Sequence, residues 1–168
     1  MAAEHAFRAA LLAGQQVPFR YEDARLLEQA VAVIPLDNIA NRTQARIDSS
    51  LGALSEEDFA DVQVLELLRW FKRDFFKWVD KPACSRCGNH ETVPLRELSR
   101  PTAEEAAGLA KKVELFSCSL CKNVTRFPRF NQPGFLLKEK NRRGRCGEWA
   151  NCFALLLRAI GYEVRWVR

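Results

Sequence analysis

Residues 144–164 read GRCGEWANCFALLLRAIGYEV, and this stretch predicts a helix that begins at a cysteine. Apolar residues recur at helical spacing over about residues 146–160, and Gly161 ends the pattern. The following YEVRWVR, residues 162–168, alternates in character and predicts a strand. On a helical wheel Cys146 falls in the same arc as the apolar residues, so we expect its side chain to face the body of the protein.

The two cysteines of this stretch have different expected roles. Cys146 lies in the first helical turn, where unpaired backbone N–H groups and the helix dipole stabilise a thiolate. Arg142, Arg143 and Arg145 add positive potential, which also favours a nucleophilic thiolate. Cys152 lies well inside the helix without these advantages, and we expect it to be a small core residue. An inert thiol stays open for Cys146 too, since free cysteines are commonly buried.

Four further cysteines form two C-x2-C pairs, Cys84 with Cys87 and Cys118 with Cys121, separated by 30 residues. Each pair presents two thiolates from one tight turn, and two such turns supply the four sulfur ligands that Zn²⁺ prefers. We expect one structural zinc ion, in an insert over residues 83–125, with no open position for water. The alternatives are two disulfides, which a reducing compartment disfavours, or a redox C-x2-C motif, which needs only one pair.

The first third of the chain is predicted to be helical. Three short helical patterns lie within residues 1–54, which we expect to form an N-terminal helical arm on the main body. A longer helix, about residues 56–79, is predicted from Ser55 and Asp58, which together imitate a capping box. Its apolar stripe at helical spacing comprises Phe59, Val62, Leu65, Leu68, Phe71, Phe75 and Val79.

Composition and charge narrow the class of protein. Hydrophobic residues make up 48% and charged residues 28% of the chain, which favours a globular fold over disorder. No apolar run has membrane-spanning length and residues 1–20 lack a signal-peptide core, so we expect no membrane insertion and a cytoplasmic or also nuclear location. Residues 122–168 hold 11 Lys and Arg against three Asp and Glu. Such a basic section suits nucleic acid, an acidic partner or a solvated face.

Several motifs together resemble one known family. GRCGEWANCF at residues 144–153 is followed by RAIGYEVR at residues 158–165 and preceded by RFPRF at residues 126–130 and by the two C-x2-C pairs. This combination resembles the core of the cytoplasmic peptide:N-glycanases, members of the transglutaminase-like superfamily. The likeness includes LLRWFKRDFFKWVDKPAC at residues 67–84 and covers about residues 60–168.

The resemblance implies a fold and an activity. The implied fold is α+β, a transglutaminase-like (papain-like) cysteine hydrolase core over residues 55–168 with the four-cysteine zinc module inserted. The implied activity is hydrolysis of the amide between the first N-acetylglucosamine and an asparagine side chain of misfolded glycoproteins, in ER-associated degradation. Ubiquitin-proteasome shuttle factors are the implied partners.

The resemblance also assigns roles to individual residues. Cys146 is implied to be the nucleophile, and Trp78 is a candidate stacking surface for the sugar, with core packing as the alternative for that indole. The implied ligands of the structural zinc ion are Cys84, Cys87, Cys118 and Cys121.

The sequence departs from the family's pattern at the catalytic base. In this superfamily a histidine and a carboxylate follow the cysteine in chain order, whereas here the only histidines, His5 and His90, precede Cys146 and the sequence stops at Arg168. We therefore expect a truncated core and a weakly active or inactive polypeptide, since loss of a general base costs roughly 10²–10⁴ in rate.

Two hypotheses without catalysis stay open. The superfamily includes DNA-repair proteins with a degenerate transglutaminase-like core, and a basic section next to zinc can contact nucleic acid. The intact CGEWAN motif at residues 146–151 makes nucleic acid the weaker expectation. The second hypothesis is a zinc-held interaction scaffold without chemistry.

Overall fold

The computed structural model describes residues 2–15, 18–49 and 55–165. Its helices are α1 (Ala2–Gln15), α2 (Ala24–Val33), α3 (Leu36–Asp48), α4 (Glu56–Trp70), α5 (Ala103–Ala107), α6 (Pro133–Leu136) and α7 (Cys146–Ala159). Its strands are β1 (Lys77–Trp78), β2 (Thr92–Ser99), β3 (Val113–Cys118), β4 (Val124–Pro128) and β5 (Arg143–Gly144). Short 3₁₀ turns lie at Pro18–Tyr21 and Glu139–Asn141. None of the helices in the described ranges is both long and apolar enough to cross a membrane.

Three helices precede residue 50, as the sequence predicts. Asp23 begins α2 by accepting a hydrogen bond from the Leu26 backbone N–H at 2.9 Å. α2 and α3 place apolar side chains in the same hydrophobic core as α7, among them Leu26, Ala30, Ile34 and Ile39. The predicted division after residue 54 follows a segment, residues 50–54, that lies outside the described residues, so this domain boundary stays a prediction.

α4 begins at the predicted cap and ends earlier than predicted. The Ser55 backbone N–H donates to Asp58 at 2.8 Å and the Asp58 N–H donates to the Ser55 hydroxyl at 3.2 Å, which completes the capping box. After Trp70 the chain makes a π-helical turn, Phe71–Phe75, and then becomes extended at Phe76. The predicted helix over residues 56–79 is therefore wrong in its last turn.

The π-helical turn has a packing reason. Phe71, Phe75 and Phe76 are all buried. In a regular helix the neighbours Phe75 and Phe76 would point about 100° apart, so a wider turn followed by an extended residue is needed to bury both. The predicted stripe is correspondingly only partly right, because Phe59 and Leu65 are 43% and 45% exposed.

The main core lies where α7 packs against this turn. Phe71 is fully buried, and its ring stacks on Phe76 with centroids 5.2 Å apart. The Phe71 ring also meets Trp149 of α7 edge-on at 4.9 Å and Phe153 at 5.1 Å. Aromatic pairs at these distances contribute about 0.5–1.5 kcal/mol each beyond the area they bury. The predicted extent of α7, about residues 146–160, is confirmed by its observed bounds.

The predicted insert contains a three-stranded antiparallel sheet in the order β2-β3-β4. Phe116 in the central strand stands opposite Pro94 on one side and Thr125 on the other. α5 lies between β2 and β3, where Thr102 and Glu105 form its capping box. β3 ends at Cys118, so this sheet leads directly into one of the two cysteine turns.

A short parallel pair of strands brings distant residues together. β1 pairs with β5 so that Trp78 stands beside Gly144, and the Val79 N–H donates to the Gly144 carbonyl at 2.9 Å. Because β5 runs directly into α7, this pairing places Trp78 near the first turn of α7. The predicted strand after α7 is not formed over residues 162–165, and residues 166–168 lie outside the described part.

Replacing Phe71 by Ala tests this arrangement of the core. We expect the free energy of unfolding to fall by about 3–5 kcal/mol, because the substitution leaves a cavity among four aromatic rings. Urea unfolding followed by tryptophan fluorescence measures the change. Phe59→Ala is the matched control and should cost less than about 1 kcal/mol, since Phe59 is partly exposed. Equal losses for the two variants would contradict the central position of Phe71 in the core.

Candidate active site and metal centre

Cys146 is the first residue of α7, and its side chain is exposed. The expectation that it faces the body of the protein is wrong, because the first turn of α7 extends beyond the core that the later turns contact. The thiol opens instead into a shallow cleft of about 590 Å³. The cleft is lined by Leu68, Lys72, Trp78, Cys146 and Trp149.

Two tryptophans form the aromatic part of the cleft. Trp78 is 53% exposed, and its indole N–H donates to the Asp80 carboxylate at 2.9 Å. The core-packing alternative for Trp78 is therefore wrong. The centroid of the Trp149 ring lies 6.2 Å from that of Trp78, and the Trp149 ring also contacts Phe71 of the core edge-on. Trp149 lies three residues after Cys146 on the same face of α7, and its ring contributes both to the core and to the cleft.

Cys152 is fully buried, which confirms the prediction that it is a core residue. Burial raises the pKa of the Cys152 thiol well above its ordinary value, because a thiolate loses its hydration there. The two cysteines of α7 thus differ in access to solvent, six residues apart on one helix.

Buried hydrogen bonds tie α7 to two other segments. Asn151 accepts from the Tyr21 hydroxyl at 2.6 Å and donates to the Asn131 backbone carbonyl at 2.8 Å. Burial raises the pKa of Tyr21 to about 12, so this hydroxyl stays a donor at neutral pH. These bonds fix the rotation of α7 about its axis, and so help to direct Cys146 and Trp149 into the cleft.

Two arginines and two glutamates surround the start of α7, and we call Arg129, Glu148, Glu114 and Arg145 the charge ring. Arg129 donates two hydrogen bonds of 2.7 Å to Glu148, and Arg145 donates two, at 3.0 and 2.8 Å, to Glu114. Arg129 also donates to Glu114 at 3.0 Å. Although burial favours the neutral form of Glu114, the hydrogen bonds from Arg145 and Arg129 hold its pKa below the usual range.

The charge ring changes the expected role of the nearby arginines. The charge of Arg145 is offset by Glu114. The guanidinium of Arg142 lies 4.2 Å from the centroid of the Phe75 ring, and its Nε donates to the Leu137 carbonyl at 2.9 Å. The expectation that both arginines add free positive potential beside Cys146 did not include Glu114 and Phe75, which lie far from them along the chain.

The backbone before α7 leaves no room for a larger residue. A Cβ atom at Gly144 would stand 2.4 Å from Cβ of Glu148 and 2.9 Å from its Oε2. The Glu148 side chain lies this close to Gly144 because it caps α7: its Oε2 accepts a hydrogen bond from the backbone N–H of Arg145, the N-cap residue, at 3.0 Å.

The four cysteines of the insert lie together. Their Sγ atoms are all within 4.8 Å of one another, with Cys84 to Cys121 at 3.5 Å and Cys87 to Cys118 at 3.7 Å. A regular tetrahedron of sulfurs about 2.3 Å from Zn²⁺ has S···S distances of about 3.8 Å. The four thiols can therefore hold one metal ion, as the spacing of the motifs predicts.

N–H donors surround these sulfurs. The Arg86 N–H lies 3.4 Å from Cys84 Sγ, and the Cys121 N–H lies 3.5 Å from Cys118 Sγ. A backbone hydrogen bond from Cys87 lowers the pKa of the Cys84 thiol to about 6. Donors of this kind stabilise the thiolate, which is the form that binds a metal.

Two asparagines complete the set of donors. The side-chain amide of Asn89 approaches Cys118 Sγ at 3.6 Å, and that of Asn123 approaches Cys84 Sγ at 3.8 Å. Each follows its C-x2-C turn by two residues. That repeated position was a signal the sequence argument did not use.

Comparison with known proteins bears on this arrangement. Residues 95–168 match the family model of the transglutaminase-like superfamily. The chain is 45% identical over 88% of its length to a peptide-N(4)-(N-acetyl-beta-glucosaminyl)asparagine amidase of Gallus gallus, and 40% identical over 99% to that of Homo sapiens. The amidase of Yarrowia lipolytica is 38% identical over 90% of the chain. Over almost all of its length this chain is thus similar to peptide:N-glycanases, and over residues 95–168 to the transglutaminase-like superfamily.

The chain spans 23%, 25% and 42% of the length of these three relatives, respectively. The similarity therefore extends over almost all of this chain, whereas the chain covers less than half of each relative. The substrate that the names of these relatives state is therefore a proposal for this chain.

The two cysteines of α7 should differ in reactivity. We expect iodoacetamide to alkylate Cys146 at least about tenfold faster than Cys152 in the native protein, because the thiolate is the reactive species and burial suppresses it. Mass spectrometry of peptides after timed quenching measures both rates. Denaturation should bring the two rates together, and faster labelling of native Cys152 would contradict the observed packing of α7.

Proposed function

We propose that this protein is a peptide-N4-(N-acetyl-beta-glucosaminyl)asparagine amidase that removes N-glycans from glycoproteins by attack of Cys146. The observation that carries the proposal is an exposed thiol at the first position of α7, in a cleft bordered by Trp78 and Trp149. The similarity of 88–99% of the chain to amidases of that name supports the same conclusion.

The reaction proceeds in two steps. The Cys146 thiolate attacks the carbonyl carbon of the asparagine side-chain amide, and the carbonyl electrons move to its oxygen, where backbone N–H groups of the first turn of α7 can stabilise them. When the carbonyl re-forms, the C–N bond breaks, and the glycosylamine leaves with the proton that the Cys146 thiol gave up to the base. Water then hydrolyses the thioester, which releases aspartate and restores the thiol.

The aromatic part of the cleft suits the sugar. A pyranose ring has an apolar C–H face, and an indole face offers a matching apolar surface, while the sugar hydroxyls stay at the rim. Trp78 is the residue that we propose for this contact, because more than half of its side chain is free for a ligand.

The reaction also needs a proton acceptor beside the thiol. The described residues that line the cleft include no histidine, and His5 and His90 both precede Cys146 in the chain. We therefore propose that the 168-residue polypeptide alone deglycosylates roughly 10²–10⁴ times more slowly than an enzyme with such a base.

The metal that we propose for the four cysteines is Zn²⁺, in a structural role. Cys84, Cys87, Cys118 and Cys121 would hold it, and four thiolates leave no position for a reacting water. Bound there, the ion joins the turn before β2 to the turn after β3. The zinc centre thus belongs to the folding of the insert and not to the chemical step.

Substrate and location follow from the same proposal. We propose misfolded N-glycoproteins as substrates, in the cytoplasm or also the nucleus, with ubiquitin-proteasome shuttle factors as delivery partners. Nucleic acid is the weaker candidate, because several arginines of the basic section pair with glutamates within the chain. Those pairs in the described residues involve Arg126, Arg129, Arg145 and Arg158.

A haloacetamide derivative of chitobiose tests the proposed function. We expect it to label Cys146, and free chitobiose to slow this labelling, because the sugar and the thiol share one cleft. Trp78→Ala should weaken the protection by chitobiose. Mass spectrometry of the labelled peptide is the measurement. Equal labelling with and without chitobiose would refute the glycan site and favour the scaffold hypothesis.

Replacing Cys84 by Ser tests the proposed zinc centre. Since one of four ligands is lost, we expect the metal content to fall from about one zinc per chain and the melting temperature to fall with it. Elemental analysis and thermal unfolding measure the two effects. Cys152→Ser, outside the cluster, should keep the zinc. The proposal would be contradicted if the purified protein contained no metal and a chelator left its melting temperature unchanged.

A further inference from the structure

We propose that Glu114 is a positioning residue for Cys146, and that through Glu114 the four-cysteine module controls how Cys146 reacts. The proposal deepens the proposed function, because it takes Cys146 as the nucleophile. It assigns Glu114 no contact with substrate. It assigns the insert an effect on the active site beyond its own folding.

Glu114 belongs to the strand that leads to the metal cluster. It lies in β3, four residues before Cys118, and stands opposite Leu98 of β2 and Phe127 of β4. Its backbone is thus fixed from both sides by the sheet. A change in the cysteine turns that shifts the end of β3 acts on the same strand that carries this carboxylate.

The carboxylate of Glu114 reaches from the sheet to the residue that precedes the nucleophile. It accepts two hydrogen bonds from the guanidinium of Arg145. A pair with two parallel bonds restrains the orientation of both groups as well as their distance. Arg145 is the N-cap of α7 and is bonded directly to Cys146 in the chain.

A second link between the same two elements runs in parallel. Arg129 extends the β3–β4 ladder, since its N–H donates to the Lys112 carbonyl at 2.9 Å, and its side chain binds Glu148 of α7. The side chain of Glu148 is only 5% exposed. The charge ring therefore alternates in sign, with one positive and one negative group from the sheet and one of each from the start of α7.

The Arg145 guanidinium has two further partners. Its Nη2 donates to the Asp80 carbonyl at 2.7 Å, two residues after Trp78, and its Cζ lies 5.4 Å from the centroid of the Phe127 ring of β4. Glu114 thus orients a side chain that contacts the segments on both sides of the cleft. If Glu114 loses its charge, Arg145 keeps these two contacts but loses its ion pair with β3, and the first turn of α7 can shift relative to Trp78.

The test compares Glu114→Gln with Glu105→Gln. Glu105 pairs with Arg126 of β4 through two hydrogen bonds of 2.9 and 2.6 Å, so the control breaks a similar pair on the same sheet that does not involve α7. The measured quantity is the rate constant for alkylation of Cys146 by iodoacetamide. Each protein is measured zinc-loaded and after removal of zinc by a chelator.

We expect zinc removal to change the rate several-fold in the unaltered chain and in Glu105→Gln. In Glu114→Gln we expect zinc removal to change the rate by a clearly smaller factor than in the unaltered chain, and not to lose all effect, because the parallel Arg129–Glu148 link remains. Arg145→Gln cuts the same link from the side of α7 and should behave like Glu114→Gln. Circular dichroism and zinc content show whether each variant is folded and loaded with zinc. These controls separate a loss of coupling from a loss of stability, since a residue that only stabilises the fold would change them as well.

The proposal is wrong if zinc removal leaves Cys146 unaffected in the unaltered chain, or if it acts equally in all four proteins. This readout requires no glycan, so it is independent of the labelling by chitobiose. If chitobiose fails to protect Cys146 while zinc removal still changes its alkylation rate, the proposed function is refuted and the coupling through Glu114 is not.

Discussion

The packing of α7 against Phe71 is the contact on which the rest of the structure depends. Phe71 gathers Phe76, Trp149 and Phe153 around one fully buried ring, and the π-helical turn exists so that neighbouring phenylalanines can all reach it. This packing fixes α7 in position from Trp149 onward and leaves Cys146, at its first position, exposed. Access to Cys146 is thus a consequence of where the hydrophobic contacts stop.

The charge ring fixes the position of the start of α7, and the aromatic cluster fixes the rest of the helix. Partly buried ion pairs cost desolvation, so a ring of two arginines and two glutamates adds little to stability unless each group is fully hydrogen bonded. Here the pairs are bidentate and the glutamates accept from more than one donor. Such a ring is better suited to specifying one geometry than to stabilising the fold, and the geometry it specifies is the junction between the metal-binding sheet and the cysteine.

Much of this could be predicted from local patterns. The capping box at Ser55 and Asp58, the bounds of α7, the burial of Cys152 and the clustering of four cysteines all follow from spacings within a few turns or within two short motifs. The patterns failed where contacts are distant along the chain. Helical periodicity could not show that residues 76–79 leave the helix, and a helical wheel has no means of showing where the core ends, which is why Cys146 was expected to face inward.

The sequence by itself determined which residues are chemically able to act: a thiol at the start of a helix, two C-x2-C pairs of cysteines and a set of aromatic side chains. Only the tertiary structure decided that Trp78 borders the cleft of Cys146, through the pairing of β1 with β5, and that Arg145 is bound by Glu114. The physical reason is that capping and periodicity depend on neighbours within about four residues. The partners of Trp78 and Arg145 are brought close only when the whole chain has buried its apolar surface.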